Sequence, residues 1–493
     1  MIQGAIISVA QMRAMDEAAP ALGMPTIQLM ENAGAAVAQA IMARFSPRQT
    51  AVLCGPGNNG GDGWVCARHL AQAGWPVWVE TLVPTAQLRG DAAVMAAAFN
   101  GQVRPLNTTE PHADLYVDAL FGAGLSRPLA PEIAGLAQAL ASQKAKLVAV
   151  DVPSGLPGDG DPPLAGQGFR AALTVTFVAK KRAHVLHPAR SFCGDVIVAD
   201  IAMPTGAWSG LRLDLHENDP RLWGAAFPQP AAMAHKHARG HAMVVSGGLA
   251  NTGAARLAAH AALRVGAGLV TVLSPPSALI VNAAHLTAVM LRACADAKEM
   301  AESARQARAT VIGPAAGVTP ATRETVQALL KENAALVLDA DALTVFQDEP
   351  TELFAALRSK DVLTPHAGEF NRLFPGLLSA APTRVEATIE AARRAGCVLL
   401  LKGPDTVIAA PDARVVVNAT GTPYLATAGS GDVLAGLIAG LMAQGMDAFD
   451  AASAAAWLHG RCAEVLGVGL IAEDLPTALP EVLRTLLSTI QTG

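Results

Sequence analysis

The sequence predicts an α/β protein with two doubly wound domains, and three observations support this fold class. A chain of 493 residues exceeds the usual size of one hydrophobic core, so two domains of roughly 200 to 270 residues are expected. Short apolar runs alternate with longer Ala-rich segments in both halves, which is typical of parallel sheets covered by helices. The stretch 207–234 carries three prolines and no sustained apolar period, which indicates a linker. We place the boundary near residue 220, giving domains 1–220 and 221–493.

The overall composition excludes several classes of protein. The net charge is −5 and no basic run appears, so we expect no nucleic-acid partner. The six cysteines are scattered without a Cys-x-x-Cys pair, so neither a disulfide framework nor a zinc site is expected. Mean hydropathy is high at +0.33, but the most apolar stretch, 433–442, is shorter than the ~20 residues of a membrane-spanning helix. Residues 1–11 lack the pattern of a secretory signal, and we expect a cytoplasmic homo-oligomer without a membrane partner.

The first half begins with two helices, which a βαβ unit follows. Ser8 is a suitable cap for the first helix, and Gly23 and Pro25 separate it from the second. The predicted segments after Ser8 are a helix at 26–45, a strand at 51–54, a glycine-rich turn at 55–63, a helix at 64–73 and a strand at 76–80.

The glycine-rich turn has two interpretations. The pattern Gly-x-Gly-x-x-Gly at 55–60, with Glu80 about twenty residues on, satisfies the fingerprint of dinucleotide-binding folds and favours a nicotinamide-dependent dehydrogenase. That fingerprint does not explain the pair Asn58 and Asn59 or the Gly-Asp-Gly that ends the turn. Two side-chain amides supply oxygen ligands and amide donors, which suits a cation or a polar substrate.

Two further strands of the first half end on polar residues. The strand 114–118 ends in Asp118 and runs into a loop at 119–128, and the strand 146–150 is followed by Asp151 and Ser154. Because the carboxyl ends of parallel strands share one edge of a sheet, these residues and Asn59 can meet in one crevice. A single strand-end Asp is often only a turn or cap residue, but three polar strand ends together favour a functional site.

The second half repeats the alternation of strands and helices, which predicts a second doubly wound sheet with right-handed crossovers. His235, His237 and His241 precede this sheet. Since no acid or cysteine joins them, we interpret them as part of a solvated segment rather than as a metal site. The predicted strands are 243–246, 269–272, 310–313, 336–339, 362–364 and 398–401.

The candidate site residues of the second half centre on the stretch 428–436. His366 and Lys402 each follow a strand, and either alone is equally compatible with an ordinary turn residue. The stretch 428–436 opens a buried helix, where free N–H groups bind anions and Asp432 could take a proton from a substrate. Asp432 alone is compatible with an ordinary first-turn acid. Together these residues favour a nucleotide-phosphate site.

The two halves resemble two families of enzymes that bacteria fuse. The second half, about 234–487, resembles the ribokinase-like fold, and more particularly the ADP-dependent NAD(P)H-hydrate dehydratases, in its motifs at 251–255, 263–270, 364–370, 402–406 and 426–436. The first half resembles the NAD(P)H-hydrate epimerases in its motifs at 55–63, 117–128 and 151–155. The dehydratases usually have His-Lys-Gly where this chain has His235, Lys236 and His237, and we expect little effect on the chemistry.

The resemblance implies repair of hydrated NADH and NADPH (NADHX and NADPHX). The epimerase interconverts their R and S forms, and the dehydratase restores the S form with ADP, releasing AMP and phosphate. Asp432 would deprotonate the ring hydroxyl while the amides of 429–431 stabilise the transferring phosphoryl group. The residues that would line the dehydratase hydrate site are Ala254, Gly317, His366 and Asp432, and those that would hold the nucleotide with Mg²⁺ are Lys402, Gly403, Pro404, Asp405, Thr406 and Gly431.

For the epimerase, the resemblance implies a K⁺ site and a hydrate site. Asn59, Asp118 and Ser154 would hold K⁺, and all three offer the oxygen atoms that a hard cation requires. Asp151 is the candidate for acid/base work. The residues that would contact the hydrate are Asn58, Asn59, Gly60, Gly61, Asp62, Gly122, Ala123, Gly124, Leu125, Ser126, Arg127, Pro128 and Asp151.

Two other functions fit the same residues. A ribokinase-like small-molecule kinase with an appended binding domain would make a stable phosphorylated product. A dinucleotide-binding sensor would carry a first domain without turnover. The products formed from the hydrates and ADP distinguish these functions from cofactor repair.

Overall fold

The computed structural model describes residues 4–108, 112–160, 163–231, 233 and 235–492. The chain divides into two compact units, Met1–Leu215 and His216–Gly493. The division lies close to the boundary predicted near residue 220. Within the described residues, no helix is both long and apolar enough to span a membrane.

The first unit contains a parallel sheet of seven strands, counted within the described residues, in the order β4-β3-β2-β5-β6-β7-β9. The chain moves outward from β2 in one direction and then from β5 in the other, so the order reverses between these two strands. The strands of this sheet are β2 (Thr50–Cys54), β3 (Val77–Thr81), β4 (Gln102–Pro105), β5 (Leu115–Ala119), β6 (Lys146–Val150), β7 (Leu173–Phe177) and β9 (Asp195–Ala199). Two short strands, β1 (Ile6–Ile7) and β8 (Lys180–Lys181), pair with each other outside it. The helices are α1 (Val9–Ala18), α2 (Thr26–Arg44), α3 (Asn58–Gln72), α4 (Gly90–Ala97), α5 (Pro131–Ser142) and α6 (Arg190–Cys193).

Ser8 caps helix α1, as predicted. Its hydroxyl accepts a hydrogen bond from the backbone N–H of Gln11 in a capping box. Helix α3 departs from the prediction, because it begins at Asn58 and not at Trp64. Three of the glycines expected in the turn, Gly60, Gly61 and Gly63, instead lie in the first two turns of this helix. They allow close packing, since a Cβ on Gly61 would lie 2.5 Å from the sulfur of Met30 and one on Gly63 would lie 2.6 Å from Cβ of Ala119.

The second unit contains a sheet of ten strands, again counted within the described residues, in the order β10-β19-β18-β17-β16-β15-β14-β11-β12-β13. Strands β11 to β17 pair in parallel, whereas β18 pairs antiparallel with both β17 and β19. The strands are β10 (Leu215–Glu217), β11 (His241–Val245), β12 (Leu269–Ser274), β13 (Met290–Ala293), β14 (Ala309–Ile312), β15 (Ala335–Leu338), β16 (Val362–Leu363), β17 (Val398–Leu401), β18 (Val407–Ala409) and β19 (Val415–Val417).

The helices of the second unit cover the parallel strands, and its order of strands reverses between β11 and β14. They are α7 (Pro220–Trp223), α8 (Gly253–Arg264), α9 (Leu279–His285), α10 (Ala297–Ala304), α11 (Pro320–Leu330), α12 (Asp341–Thr344), α13 (Pro350–Ala356), α14 (Ala367–Leu373), α15 (Leu377–Ala380), α16 (Arg384–Ala395), α17 (Ser430–Ala443), α18 (Ala448–Leu466) and α19 (Leu475–Thr492).

The linker predicted at 207–234 is largely wrong. Strand β10 joins the ten-stranded sheet beside β19, and Trp223 on α7 is only 1% exposed. Asn218 ties this segment to the second unit, because its Nδ2 donates to Oδ1 of Asn418 and to the carbonyl of Ser453, and its Oδ1 accepts from Nε1 of Trp223. Strand β10 is short, and the segment after it is held by the side-chain amide of Asn218, so neither produces an apolar periodicity that the sequence would show. Residues 232 and 234 of the predicted linker lie outside the described residues.

Helices α8 and α17 pack backbone to backbone. A Cβ on Gly436 of α17 would overlap the carbonyl oxygen of Ala258 on α8, and one on Gly440 would lie 2.5 Å from Cγ1 of Val265. All residues of α17 from Val433 to Ala443 are buried. The position of the start of α17 is therefore set by a contact that tolerates no side chain at Gly436.

Gly436→Ala is expected to destabilise the second unit. Alanine is better than glycine in a helix by about 1 kcal/mol, but overpacking against backbone that cannot move aside costs about 1–3 kcal/mol or more. The matched control is Gly135→Ala in α5, where no atom lies within 4 Å of the new Cβ. Thermal unfolding followed by circular dichroism should show a lower midpoint for Gly436→Ala only. A midpoint at or above the wild-type value would contradict the packing argument.

Candidate active sites

The first unit has a cleft of about 980 Å³ at the carboxyl ends of β2, β5 and β6. Three of the predicted hydrate-contacting residues do not line this cleft: Gly60 and Gly61 are buried in α3, and Pro128 is exposed. The predicted hydrate-contacting residues that line the cleft are Asn58, Asn59, Asp62, Gly122, Ala123, Gly124, Leu125, Ser126, Arg127 and Asp151.

Asp151 has a strained backbone and a carboxylate held by three polar contacts. Its φ is +63°, and the N–H of Val152 donates to the carbonyl of Val150 across it at 2.8 Å, which makes a γ-turn. Such a conformation costs about 1–3 kcal/mol in a non-glycine residue and often marks a functional site. The carboxylate accepts hydrogen bonds from the N–H of Ala123 and the hydroxyl of Thr176, and it pairs with Lys181 at 2.8 Å.

Three of the carboxyl groups that line this cleft have pKa shifts, and the shifts run in opposite directions. Burial tends to raise the pKa of Asp151, but the charge and hydrogen bond of Lys181 and the amide of Ala123 outweigh it and hold the pKa at about 2. Burial raises the pKa of Asp62 well above its ordinary value, and the nearby charges of Asp151 and Asp16 raise it further. Burial also raises the pKa of Asp16 to about 6. Asp151, whose pKa is lowered, is therefore a proton acceptor, whereas the raised pKa of Asp62 favours its keeping a proton over Asp151.

Sequence reasoning missed Asp16 and Lys181. Asp16 lies on α1, where it reads as an ordinary polar residue of an amphipathic helix. Lys181 ends the short strand β8, and no glycine-rich motif accompanies it. Only the fold brings them to the cleft wall, and no local signal in the sequence could have indicated it.

The predicted cation-binding residues surround the start of the loop after β5. Asp118 is fully buried and accepts hydrogen bonds from the hydroxyl and the N–H of Ser154 at 2.6 and 2.7 Å. The hydroxyl of Ser154 also accepts from the N–H of Phe121. Asn59, on α3, places its Oδ1 against the same loop, 3.0 Å from where a Cβ of Gly122 would be, and its Nδ2 has no hydrogen-bond partner in the described part of the chain.

This arrangement of residues fits K⁺. The donors are a carboxylate, a hydroxyl and an amide, which are the hard oxygen ligands that such a cation prefers. Burial raises the pKa of Asp118 to about 6 despite the hydrogen bonds from Ser154 that lower it. No ion pair to Asp118 is found among the described residues. A monovalent cation here would offset the cost of keeping this carboxylate ionised.

In the second unit, the stretch 428–436 forms the predicted helix start. Gly429 has φ +86° and caps α17, so that the amides of Gly431 and Asp432 have no acceptor within the helix. His459 donates from Nε2 to the carbonyl of Ser430 at 2.9 Å, which fixes the turn. Burial lowers the pKa of His459 to about 4, so the ring is neutral at pH 7.

Asp432 has an elevated pKa and lies near a second acid and a lysine. Burial raises its pKa to about 6, the charge of Asp339 raises it further, and the charge of Lys402 lowers it. Nζ of Lys402 pairs with Oδ1 of Asp339 at 2.7 Å, and both groups lie below 4 Å from where a Cβ of Gly431 would be. Asp339 follows β15 and was missed by sequence reasoning, because a lone acid after a strand carries no distinctive signal.

His366 forms the N-cap of α14. Its Nδ1 accepts hydrogen bonds from the N–H groups of Gly368 and Glu369, and its ring is 54% exposed. Its backbone pairs with that of Lys402 in a parallel bridge. The turn role that was the alternative for His366 is therefore present. Its Nε2 lies 3.4 Å from Oε1 of Glu369, and the residue lies at the same sheet edge as Lys402.

The predicted nucleotide segment 402–406 is held by Arg384. Its guanidinium donates to Oδ1 of Asp405 at 2.7 Å and to the carbonyl of Lys402 at 3.1 Å. The carboxylate of Asp405 is fully buried on this ion pair. The hydroxyl of Thr406 donates to the carbonyl of Gly403, which closes the turn and leaves Gly403 and Pro404 exposed.

The last two predicted residues are Gly317, on the loop after β14, and Ala254, in the first turn of α8. The N–H of Gly317 donates to Oδ2 of Asp341 at 2.8 Å, which joins the loop after β14 to the loop that carries Asp339. Ala254 is the second residue of α8, one turn before Leu257, whose Cδ1 would be 2.7 Å from a Cβ on Gly429. The carboxyl ends of β14, β15, β16 and β17 thus surround the start of α17.

Both halves of the chain match known protein families. Residues 26–183 match the family described as YjeF-related protein N-terminus, and residues 242–484 match the family described as NAD(P)H-hydrate dehydratase. The chain is 37% identical over 527 residues to the bifunctional NAD(P)H-hydrate repair enzyme of Moorella thermoacetica, with 99% of this chain and 98% of that protein covered. It is 34% identical to the enzyme of the same name from Coxiella burnetii, with 94% and 96% covered.

Two solved structures that are similar each cover a little over half of this chain. A ribokinase-like superfamily protein from Enterococcus faecalis is 23% identical with a TM-score of 0.50, covering 56% of this chain and 98% of its own. An ADP/ATP-dependent NAD(P)H-hydrate dehydratase from Bacillus subtilis, co-crystallised with ATP and Mg²⁺, is 29% identical with a TM-score of 0.48, covering 55% and 98%. The predicted fold class, two doubly wound α/β domains with a ribokinase-like second domain, is confirmed. The chain belongs to the family of bifunctional NAD(P)H-hydrate repair enzymes.

Proposed function

We propose that this protein returns hydrated NADH and NADPH to their reduced forms, with the first unit interconverting the R and S hydrates and the second dehydrating the S hydrate with ADP. The full-length similarity to the repair enzymes supports this function. The observation that carries it is the start of α17, where free amides at a helix N-terminus lie beside Asp432, an acid with a pKa of about 6. This arrangement combines an anion site with a general base.

In the second unit, phosphorylation serves to expel water. Asp432 takes the proton of the ring hydroxyl as the hydroxyl oxygen bonds to the terminal phosphorus of ADP and the bond from that phosphorus to AMP breaks. The amides of Gly431 and Asp432 stabilise the charge on the transferring phosphoryl group. Hydroxide leaves poorly, whereas phosphate leaves readily, so the ring double bond re-forms with loss of phosphate and a proton.

Lys402 and Asp339 complete the nucleotide site. Lys402 is a point charge beside the helix start and supplies attraction for the phosphates of ADP. Mg²⁺ is bound in such sites by one or two carboxylates together with substrate phosphates. Asp339 fits this role, since Oδ1 is paired with Lys402 while Oδ2 lies 3.7 Å from where a Cβ of Gly431 would be. Mg²⁺ would neutralise phosphate charge during the transfer.

In the first unit, the epimerase reaction needs a proton acceptor and a proton donor. The hydrate carries its hydroxyl on a ring carbon, and inversion there breaks and re-forms a bond to that carbon. Asp151, with a lowered pKa, and Asp62, with a raised one, line one cleft, and acids whose environments shift their pKa values in opposite directions suit the acceptor and donor roles respectively. K⁺ held by Asn59, Asp118 and Ser154 would fix the loop that carries Gly122 and Ala123.

The test is recovery of NADH from a mixture of its R and S hydrates. The absorbance of NADH is followed after adding the protein with ADP, with ATP or with neither. Recovery that requires a nucleotide supports the repair function. A stable phosphorylated product without NADH would indicate the kinase, and no turnover with either nucleotide would indicate the sensor, so either result would contradict the proposal.

Asp432→Asn should abolish NADH recovery while leaving nucleotide binding intact. Loss of a general base lowers the rate by about 100-fold to 10,000-fold. Asp412→Asn is the control, because Asp412 is an exposed acid in the same unit. The rate of recovery from S hydrate and the affinity for ADP by calorimetry check this prediction. Turnover retained by Asp432→Asn would refute Asp432 as the base.

The dehydratase rate should fall at acid pH through the titration of Asp432. Its pKa is about 6, so the carboxylate is ionised above this pH and protonated below it. Since only the ionised form accepts a proton, kcat/KM should fall about tenfold per pH unit below the pKa. Initial rates with S hydrate between about pH 5 and pH 8 measure this limb. A profile that is flat across the pKa would rule out Asp432 as the titrating base.

Asp151→Ala should confine repair to the S hydrate. NADH recovery from the mixed hydrates is expected to stop once the S form is consumed and to continue only at the rate of spontaneous epimerisation. The rate on purified S hydrate should match that of the wild type, which serves as the internal control for an intact second unit. Complete recovery at the wild-type rate would show that Asp151 is not needed for epimerisation.

A further inference from the structure

The side chain of Lys181 is buried against Asp151 and has no donor left for a ligand. It is 1% exposed. Its Nζ pairs with Oδ1 of Asp151 at 2.8 Å and donates to the hydroxyl of Thr176 at 2.8 Å and to the carbonyl of Phe177 at 3.1 Å. An ammonium has three donors, and all three are used here. Lys181 therefore acts on Asp151 and not on a bound substrate.

Thr176 closes a triangle between the two charged groups. Its hydroxyl accepts from Lys181 and donates to Oδ1 of Asp151 at 2.9 Å. Because the ammonium of Lys181 can only donate, the hydroxyl of Thr176 must accept from it and direct its own proton at Asp151. Each member of the triangle orients the other two.

The backbone of Lys181 holds the other end of Asp151. Its N–H donates to Nδ1 of His184 at 2.9 Å, so the ring proton lies on Nε2, which donates to the carbonyl of Asp151 at 2.8 Å. Burial lowers the pKa of His184 to about 4, which is consistent with this neutral ring. The segment 181–184 thus clamps both the carboxylate and the carbonyl of one residue.

Asp151 needs such a clamp for two reasons. Its positive φ and γ-turn are strained, and a strained conformation persists only where the surroundings impose it. Asp16 from α1 lies close enough for its charge to interact with that of Asp151, and like charges repel. Among the described residues, Lys181 is the cation paired with this carboxylate.

We propose that Lys181 is a positioning residue of the epimerase site, which holds the carboxylate of Asp151 in its reactive place through the ammonium and its carbonyl through His184. This inference rests on the proposed epimerase function. A buried ion pair can also exist for stability alone. The position of this pair, on a strained residue in the wall of the cleft, is what favours a role in the reaction.

The experiment measures conversion of purified R hydrate to S hydrate by chromatography without ADP, so that the second unit stays idle. In Lys181→Ala, kcat should fall about 100-fold, the effect of misplacing a reacting group, with KM changed much less. Propylammonium replaces the carbons and the charge that the substitution removes and should restore kcat as its concentration rises. Propanol, which has the same size without the charge, should not.

Two further variants keep the test decisive. Lys146→Ala makes the same change at an exposed lysine on β6, the strand that leads to Asp151, and should behave as wild type. Thr176→Val keeps the ion pair and removes only the shared hydroxyl, so it should fold even if Lys181→Ala does not. We expect its kcat to fall about tenfold, as for loss of one hydrogen bond to a charged group.

The outcomes separate this inference from the function on which it rests. A wild-type protein that does not convert R hydrate would contradict the epimerase function. A wild type that converts it, with Lys181→Ala equally active, would overturn the positioning role alone. A loss in Lys181→Ala that propylammonium cannot restore, while the variant still folds and dehydrates S hydrate, would show a structural role and would overturn the inference as well. If Lys181→Ala does not fold, a wild-type kcat in Thr176→Val would overturn it.

Discussion

The close contact between α8 and α17 fixes the geometry on which the second site depends. Gly436 and Gly440 let the two backbones touch, and Gly429 then places the start of α17 against Leu257. The N–H groups at the beginning of a helix point along the helix axis. The packing of α17 against α8 therefore determines where the anion site lies. Only when this contact is made do Lys402 and the acids after β15 and on α17 lie within reach of the same phosphate.

The two units share one electrostatic arrangement on unrelated sequences. Each site pairs an acid with a buried or half-buried lysine, Asp151 with Lys181 and Asp339 with Lys402. Each site also contains a second acid whose pKa burial raises. The ion pair with Lys181 lowers the pKa of Asp151, whereas Asp432, whose pKa is about 6, can hold or release a proton near neutral pH. The first site lies at the ends of β2, β5 and β6, where the strand order reverses, and the second lies at the ends of β14 to β17, next to the reversal between β11 and β14. This topology brings the acids and lysines of each site together.

Sequence reasoning recovered what local patterns encode. The parallel strands, the cap at Ser8 and the start of α17 were predicted because apolar period, cap chemistry and small residues are local signals. The start of α3 was wrong, since its glycines serve helix packing and not a turn. Lys181 and Asp339 escaped detection because each acquires its meaning from a partner far along the chain, and only the fold specifies that partner.

The central claim is that phosphorylation of the hydrate expels its hydroxyl, and an isotope experiment tests it most directly. S hydrate is prepared with heavy oxygen in the ring hydroxyl and is incubated with the protein and ADP. Transfer of the phosphoryl group to that oxygen means that the heavy oxygen must leave with the phosphate. The account predicts labelled inorganic phosphate in equal amount to the NADH recovered. Label that appears in water, with unlabelled phosphate, would contradict it.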